Sequence, residues 1–91
     1  MLIVFTMDGC PYCDELKSKL NKRHIEFIDR NIDEYSDEYL MFVELTKSYY
    51  VPGFMIIHED ENGDHSSEVF APERDFFDID EAIQIIIKKE D

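Results

Sequence analysis

The amino-acid sequence predicts one α/β domain with the element order β-α-β-α-β-β-α. Apolar runs of strand length alternate with longer segments whose apolar residues recur at helical spacing, and turn residues separate the two kinds of segment. The length of 91 residues suits a single compact domain over residues 1–91. A chain of this size buries roughly 60 to 70% of its unfolded surface, so its two cysteines are not required to stabilise a core.

The first three elements are predicted from the N-terminal third. Residues 1–6 form an apolar run rich in β-branched and aromatic side chains, which is typical of a strand buried on both faces. A helix is predicted over 11–23, because Pro11 stands at an early helical position, acidic residues follow it and lysines crowd the later turns. Residues 25–29 then alternate as a second strand.

The middle of the chain predicts a second helix and a third strand. Ser36 is expected to cap a helix over 37–47. The apolar residues at helical spacing in that segment are Leu40, Met41, Val43 and Leu45. Pro52-Gly53 interrupts the chain before an apolar third strand over 54–58.

The C-terminal third predicts a hairpin and a last helix. Asn62-Gly63 is the strongest short hairpin dipeptide, and the partner strand is expected near 67–70. One helix face follows, formed by Ile79, Ala82, Ile83, Ile86 and Ile87. Asp78 and Glu81 stand at its start in the pattern of a capping box, with Asp78 as the cap.

The charge balance is strongly acidic. Asp and Glu number 22 against 9 Lys and Arg, which gives a formal net charge of -13. Such a surface repels phosphate backbones and anionic lipid headgroups, which argues against binding to nucleic acid or to a membrane surface. The acidity either serves solubility or steers the protein toward a basic patch on a partner.

The N-terminal segment shows no export signal. Residues 1–6 carry no basic region, are far too short to span a bilayer, and are followed by Asp8 rather than a cleavage site. A cytoplasmic location is therefore expected. In that reducing compartment a Cys-x-x-Cys pair is more often catalytic or metal-binding than structural.

The motif Cys10-Pro11-Tyr12-Cys13 has the spacing that dithiol redox chemistry needs. The N-terminus of the predicted helix favours a thiolate at Cys10, because unsatisfied N–H groups and the helix dipole point at it. Cys13 lies a turn further in, where it is expected to be more buried and to act as the resolving thiol. Lys17, one turn beyond, adds positive potential.

Three other interpretations of the cysteine pair are weaker. A zinc site needs about four ligands, and the only histidines, His24, His58 and His65, have no paired spacing. A structural disulfide across two residues would close too small a loop to stabilise the fold much. Inert buried cysteines would not explain a position between a strand and a helix, so we expect redox chemistry and no metal site.

The chain resembles the glutaredoxins. The resemblance lies in Cys10-Pro11-Tyr12-Cys13 after the first strand, in Val51-Pro52 before the third strand, and in the element order. It implies a thioredoxin fold, with a four-stranded mixed sheet flanked by three helices, and a monomeric thiol-disulfide oxidoreductase. It also implies glutathione as co-substrate and no tightly bound cofactor.

The resemblance assigns further binding residues. It implies that Pro52 is cis and that Val51 offers its main-chain N–H and C=O to the cysteinyl part of glutathione. Tyr50 stands where the family carries threonine. Independently of the resemblance, Tyr12 of the motif either stacks over the cysteine pair or covers an apolar surface. Asp75 matches the acidic residue that receives the γ-glutamyl amine, and Arg74 is placed to pair with that carboxylate.

Two departures from the family pattern weaken the expected glutathione contacts. Met7 and Asp8 stand where members commonly carry a basic residue that holds a glutathione carboxylate. The family's Gly-Gly segment becomes Ala71-Pro72, and proline cannot donate a backbone hydrogen bond. An acid at position 8 repels the anionic tripeptide.

Three functions follow from these features. The first is a glutathione-linked reductase of protein or glutathione mixed disulfides, with a ribonucleotide reductase among the clients that the resemblance implies. The second keeps that chemistry but takes electrons from a thioredoxin reductase, which the missing basic residue before Cys10 favours. The third, from another class, is a dimer that binds an iron-sulfur cluster, which Pro11 is expected to disfavour.

Overall fold

A computed structural model of the protein describes residues 1–90 and has the predicted thioredoxin-like α/β architecture. The strands are β1 (Leu2–Thr6), β2 (Ile28–Asn31), β3 (Gly53–Glu59) and β4 (His65–Phe70). The helices are α1 (Pro11–Lys22), α2 (Ser36–Thr46) and α3 (Ile79–Glu90). The element order is therefore the predicted β-α-β-α-β-β-α.

The four strands form one mixed sheet in the order β2-β1-β3-β4. β1 pairs in parallel with β2 and antiparallel with β3, and β3 pairs antiparallel with β4. Phe5 lies opposite Gly53, and Phe54 lies opposite Phe70. The loop after β1, the segment before β3 and the loop after β4 therefore meet at one end of the sheet.

Each face of the sheet carries its own core. Leu2 and Val4 of β1 pack with residues of α1 and α3, whereas Ile3 and Phe5 pack with α2. Because successive side chains of a strand point to opposite faces, this arrangement buries every residue of β1. The apolar N-terminal run is thus a strand covered on both faces, as predicted.

The second strand lies later than predicted. The interval 25–29 alternates apolar and acidic residues, but pairing with β1 begins only at Ile28, opposite Ile3. Ile25 instead donates its N–H to Leu20 O at 3.0 Å, which closes the end of α1, and it packs with Phe27 against the core. A side chain can be buried in the core without its backbone pairing with a neighbouring strand. Only backbone pairing with β1 defines β2.

The start and the buried face of α2 also differ from expectation. Tyr35 is the N-cap and makes no side-chain capping hydrogen bond, so the expected cap, Ser36, is the first helical residue. Of the apolar residues that predict this helix, only Val43 is buried, and three are exposed: Leu40, Met41 and Leu45. The helix instead packs with Tyr39 and Phe42, because the sheet determines which side of α2 faces inward.

The last helix begins as the sequence predicts, whereas the second strand of the hairpin begins earlier than predicted, at His65 rather than near residue 67. Asp78 accepts a hydrogen bond from the Glu81 N–H through Oδ1 at 2.8 Å, which is the predicted cap of α3. Gly63 adopts a φ of 83° in the turn between β3 and β4, a conformation that glycine tolerates best. Across residues 1–90, no helix has the length and apolar character that crossing a bilayer requires.

Candidate active site

The cysteine pair lies at the N-terminus of α1. Cys10 is the N-cap of the helix and Pro11 follows at the start of the first turn, where its missing N–H leaves no bond unmade. A disulfide joins Cys10 and Cys13, whose Cα atoms are 5.2 Å apart. The Cys13 N–H also points at Cys10 Sγ, at 3.1 Å. The helix start therefore directs one N–H group, that of Cys13, at the sulfur of Cys10.

The two sulfurs differ in access. Cys10 is 5% exposed and Cys13 is fully buried at 0%. The order of the two exposed fractions agrees with an attacking Cys10 and a resolving Cys13. Cys10 is nevertheless less exposed than expected of an attacking thiol. In the oxidised state its side chain turns inward, because it is bonded to Cys13 Sγ and caps the helix.

A groove opens beside the pair. The Val51-Pro52 bond is cis, as the resemblance implies. These two residues share a cavity of about 290 Å³ with Tyr12 of the cysteine motif and with Tyr50. Four residues predicted from the sequence to bind substrate therefore lie together, although they come from two distant segments of the chain.

The other wall of the groove is the loop between β4 and α3. Its lining residues are Pro72, Glu73, Phe76, Phe77, Asp78 and Ile79. Apart from Pro72, which was identified as a departure from the family pattern, none of these residues was predicted from the sequence to lie at the site. The adjacent phenylalanines could have predicted an exposed aromatic side chain in this loop, because only one of two neighbouring side chains in a tight loop can enter the core. Phe76 is 2% exposed and Phe77 is 74% exposed.

Arg74 and Asp75 lie in the same loop but do not line this groove. Asp75 Oδ2 accepts hydrogen bonds from the Ala71 N–H at 2.9 Å and from Arg74 Nη1 at 3.0 Å. Arg74 Nη1 also reaches Val69 O at 3.3 Å, and Arg74 lines a neighbouring cavity of about 350 Å³. The pairing expected of these two neighbours is thus present, and the Asp75 carboxylate holds the loop together.

The charged residues next to the motif also have partners. Lys17 Nζ lies 3.1 Å from Asp29 Oδ2 and 4.0 Å from Asp14 Oδ1, so two carboxylates offset its positive charge. Asp8 Oδ1 accepts a hydrogen bond from Asn31 Nδ2 at 3.0 Å. The positive potential expected from Lys17 is therefore reduced around the cysteine pair.

The described residues do not provide the donor set of a metal site. Over residues 1–90, no group of three or more His, Cys, Asp or Glu side chains is arranged to hold a metal ion. Both cysteines are joined in the disulfide, which leaves neither as a thiolate ligand in this state.

Comparison with known proteins identifies the family. The glutaredoxin family model matches residues 2–58, which include β1, β2, all but the last residue of β3, both cysteines and the cis proline. No curated protein and no solved structure matches the chain. The loop that carries Arg74 and Asp75 lies beyond the matched residues. Because the match covers more than half of the chain, the protein belongs to the glutaredoxin family, a family of thiol-disulfide oxidoreductases.

Proposed function

We propose that the protein reduces disulfides of client proteins and glutathione mixed disulfides, and that glutathione returns it to the dithiol form. The observation that carries this proposal is the Cys10–Cys13 pair at a helix N-terminus, next to a groove formed in part by the cis Val51-Pro52 segment. We further propose that it acts as a monomer in the cytoplasm, where glutathione keeps thiols reduced.

The reaction is a two-electron exchange between the dithiol and a substrate disulfide. The Cys10 thiolate attacks one substrate sulfur, the substrate S–S bond breaks, and the other substrate sulfur leaves as a thiolate. The Cys13 thiolate then attacks Cys10 Sγ and releases the second substrate thiolate, which leaves the protein with its Cys10–Cys13 disulfide. Two glutathione molecules reverse this oxidation and become glutathione disulfide, and the released thiolates take protons from water.

The main chain of Val51 supports binding of an extended substrate. Among the described residues, no backbone hydrogen bond uses the N–H or C=O of Val51. An extended peptide can pair with such free groups as it would with the edge of a sheet, which is a common way to bind polypeptides. Tyr12 and Tyr50 lie on the same groove and provide apolar contact area.

A thioredoxin reductase is the second candidate for the electron donor. Its support is the charge of the site: no Lys or Arg lines the groove among the described residues, and Asp8 precedes the motif. Glutathione carries two carboxylates and one amine, so an acidic surface disfavours it relative to a protein reductase. Ribonucleotide reductase is a client to test with either donor.

The two donors are separated by a coupled assay of NADPH oxidation with hydroxyethyl disulfide as substrate. One reaction contains glutathione and glutathione reductase, and the other contains thioredoxin reductase alone. The proposal predicts turnover with glutathione that is lost in Cys10→Ser. Turnover only with thioredoxin reductase would refute the glutathione link and keep the dithiol chemistry.

A further inference from the structure

The groove bordered by Tyr12 of the cysteine motif carries exposed aromatic surface. Tyr12, Tyr50 and Phe77 are 65%, 60% and 74% exposed and border the same cavity. Single exposed aromatic side chains are ordinary on protein surfaces. Three around one cavity, next to a redox pair, offer contact area for a polypeptide segment larger than a tripeptide.

The charged side chains lining this groove are both acidic. They are Glu73 and Asp78, and neither forms an ion pair with a described residue. Two basic residues, Lys47 and Arg74, line the neighbouring cavity, and the charge of Arg74 is offset by its ion pair with a carboxylate. The local charge available to a ligand in the groove is therefore negative.

Backbone N–H groups of the loop beside the groove already donate hydrogen bonds within the loop. The Glu73 N–H donates to Phe76 O at 2.8 Å, and the N–H groups of Arg74 and Asp75 donate to Ala71 O at 3.3 and 3.0 Å. The preceding residue is a proline and has no N–H. Residues 72–75 thus direct no free backbone donor at an anionic ligand, which agrees with the acidic lining.

We propose that this groove selects cationic client polypeptides, with a Lys or Arg near the reactive cysteine placed against Glu73 and Asp78. Apolar side chains of the same segment would pack on Phe77 and Tyr12. The net charge of -13 attracts such clients at long range, and the two carboxylates act at short range in the groove that Tyr12 of the cysteine motif borders. The inference rests on the proposed reduction of client proteins and names the chemistry of the clients.

The test measures single turnover with protein that has been reduced beforehand, so that the choice of electron donor does not enter. Three peptides of equal length each carry one disulfide, flanked by lysines, glutamines or glutamates. At low ionic strength we expect the lysine peptide to react about tenfold faster than the glutamate peptide, with glutamine between them. Added salt should narrow the difference, because exposed charges are screened.

The double variant Glu73→Gln with Asp78→Asn removes the two groove charges. Asparagine is as good an N-cap as aspartate, so the hydrogen bond from the Glu81 N–H can persist. The rate ratio of lysine to glutamate peptide should fall to within about threefold.

A matched control removes two charges elsewhere. Glu61→Gln with Asp64→Asn lies in the hairpin at the far end of β3, roughly 20 Å from the groove end of that strand. The tenfold ratio should survive in this variant, whose net charge equals that of the groove variant.

Equal rates with all three peptides, or an equal loss of preference in both double variants, would overturn the inference. Hydroxyethyl disulfide, which is small and uncharged, serves as the reference substrate, and each peptide rate is divided by the rate of the same protein form with this reference. Failure of the reduced parent protein to react with hydroxyethyl disulfide would refute the proposed function itself.

Discussion

Replacement of Gly53 by alanine should destabilise the protein by overpacking the core next to Phe42. Gly53 begins β3 directly after the cis proline, and an added Cβ would lie 2.5 Å from Cε1 and Cζ of Phe42. Phe42 is only 3% exposed, and its ring centroid lies 4.8 Å from that of Phe5, so the ring has little room to move. Overpacking of this kind costs about 1 to 3 kcal/mol.

The assay is urea unfolding of the oxidised protein, with thermal unfolding as a second measurement. In a domain of this size, 1 kcal/mol corresponds to about 4 to 8 °C in Tm, so Gly53→Ala should lower Tm by about 4 to 24 °C. Phe42→Leu removes the ring atoms that the new Cβ would meet. The double variant should therefore be more stable than the sum of the two single changes predicts, by about 0.5 to 3 kcal/mol.

Gly63→Ala is the matched control for this cycle. Position 63 has a φ of 83° and no atom within 4 Å of an added Cβ, so alanine there strains the backbone without meeting Phe42. Its cost should add to that of Phe42→Leu without coupling. A loss below about 0.5 kcal/mol for Gly53→Ala, or strict additivity with Phe42→Leu, would refute the steric argument.

Three further predictions concern the site and its support. Cys13→Ser should trap a mixed disulfide with substrate through Cys10, detectable by mass spectrometry, and trapping through Cys13 in Cys10→Ser instead would reverse the assigned roles. Asp8→Lys should raise turnover of glutathione mixed disulfides about tenfold at low salt, since it places a cation where the ligand is anionic; an unchanged KM would show that position 8 does not face the ligand. Burial raises the pKa of Tyr39 above its ordinary value of 10.0. The contribution of Tyr39 to the free energy of unfolding is therefore fully present below about pH 10 and is lost as the pH rises through the folded-state pKa. Tyr39→Phe should flatten this decline in the urea midpoint, and an unchanged slope would contradict the assignment.

Local signals in the sequence predicted most of the helices and strands. The elements that were misplaced are those whose bounds or buried face depend on contacts distant in the chain. Asp78 caps α3 as predicted, because an N-cap depends only on the next three residues. The start of β2 was harder to predict, because Ile25 is apolar but does not pair with β1. The strand begins where Ile28 lies opposite Ile3. That register depends on contacts more than 20 residues apart.

The inward face of α2 likewise depended on tertiary packing. Apolar residues occur on several sides of this helix, so spacing alone does not distinguish Tyr39 and Phe42, which are buried, from Leu40 and Met41, which are exposed. The sheet makes the distinction, because Phe5 packs against the rings of Tyr39 and Phe42.

The sequence by itself determined the redox pair, and only the tertiary structure determined the groove. Cys10 and Cys13 are one helical turn apart, so their chemistry follows from local geometry: a cap, a proline at the first turn and a disulfide within reach. The groove joins Tyr12, Pro52 and Phe77, which meet because the register of β1, β3 and β4 brings three loops to one end of the sheet. Residues close in the chain determine the geometry of the cysteine pair. Long-range strand pairing determines the groove, and with it the charge that a client encounters.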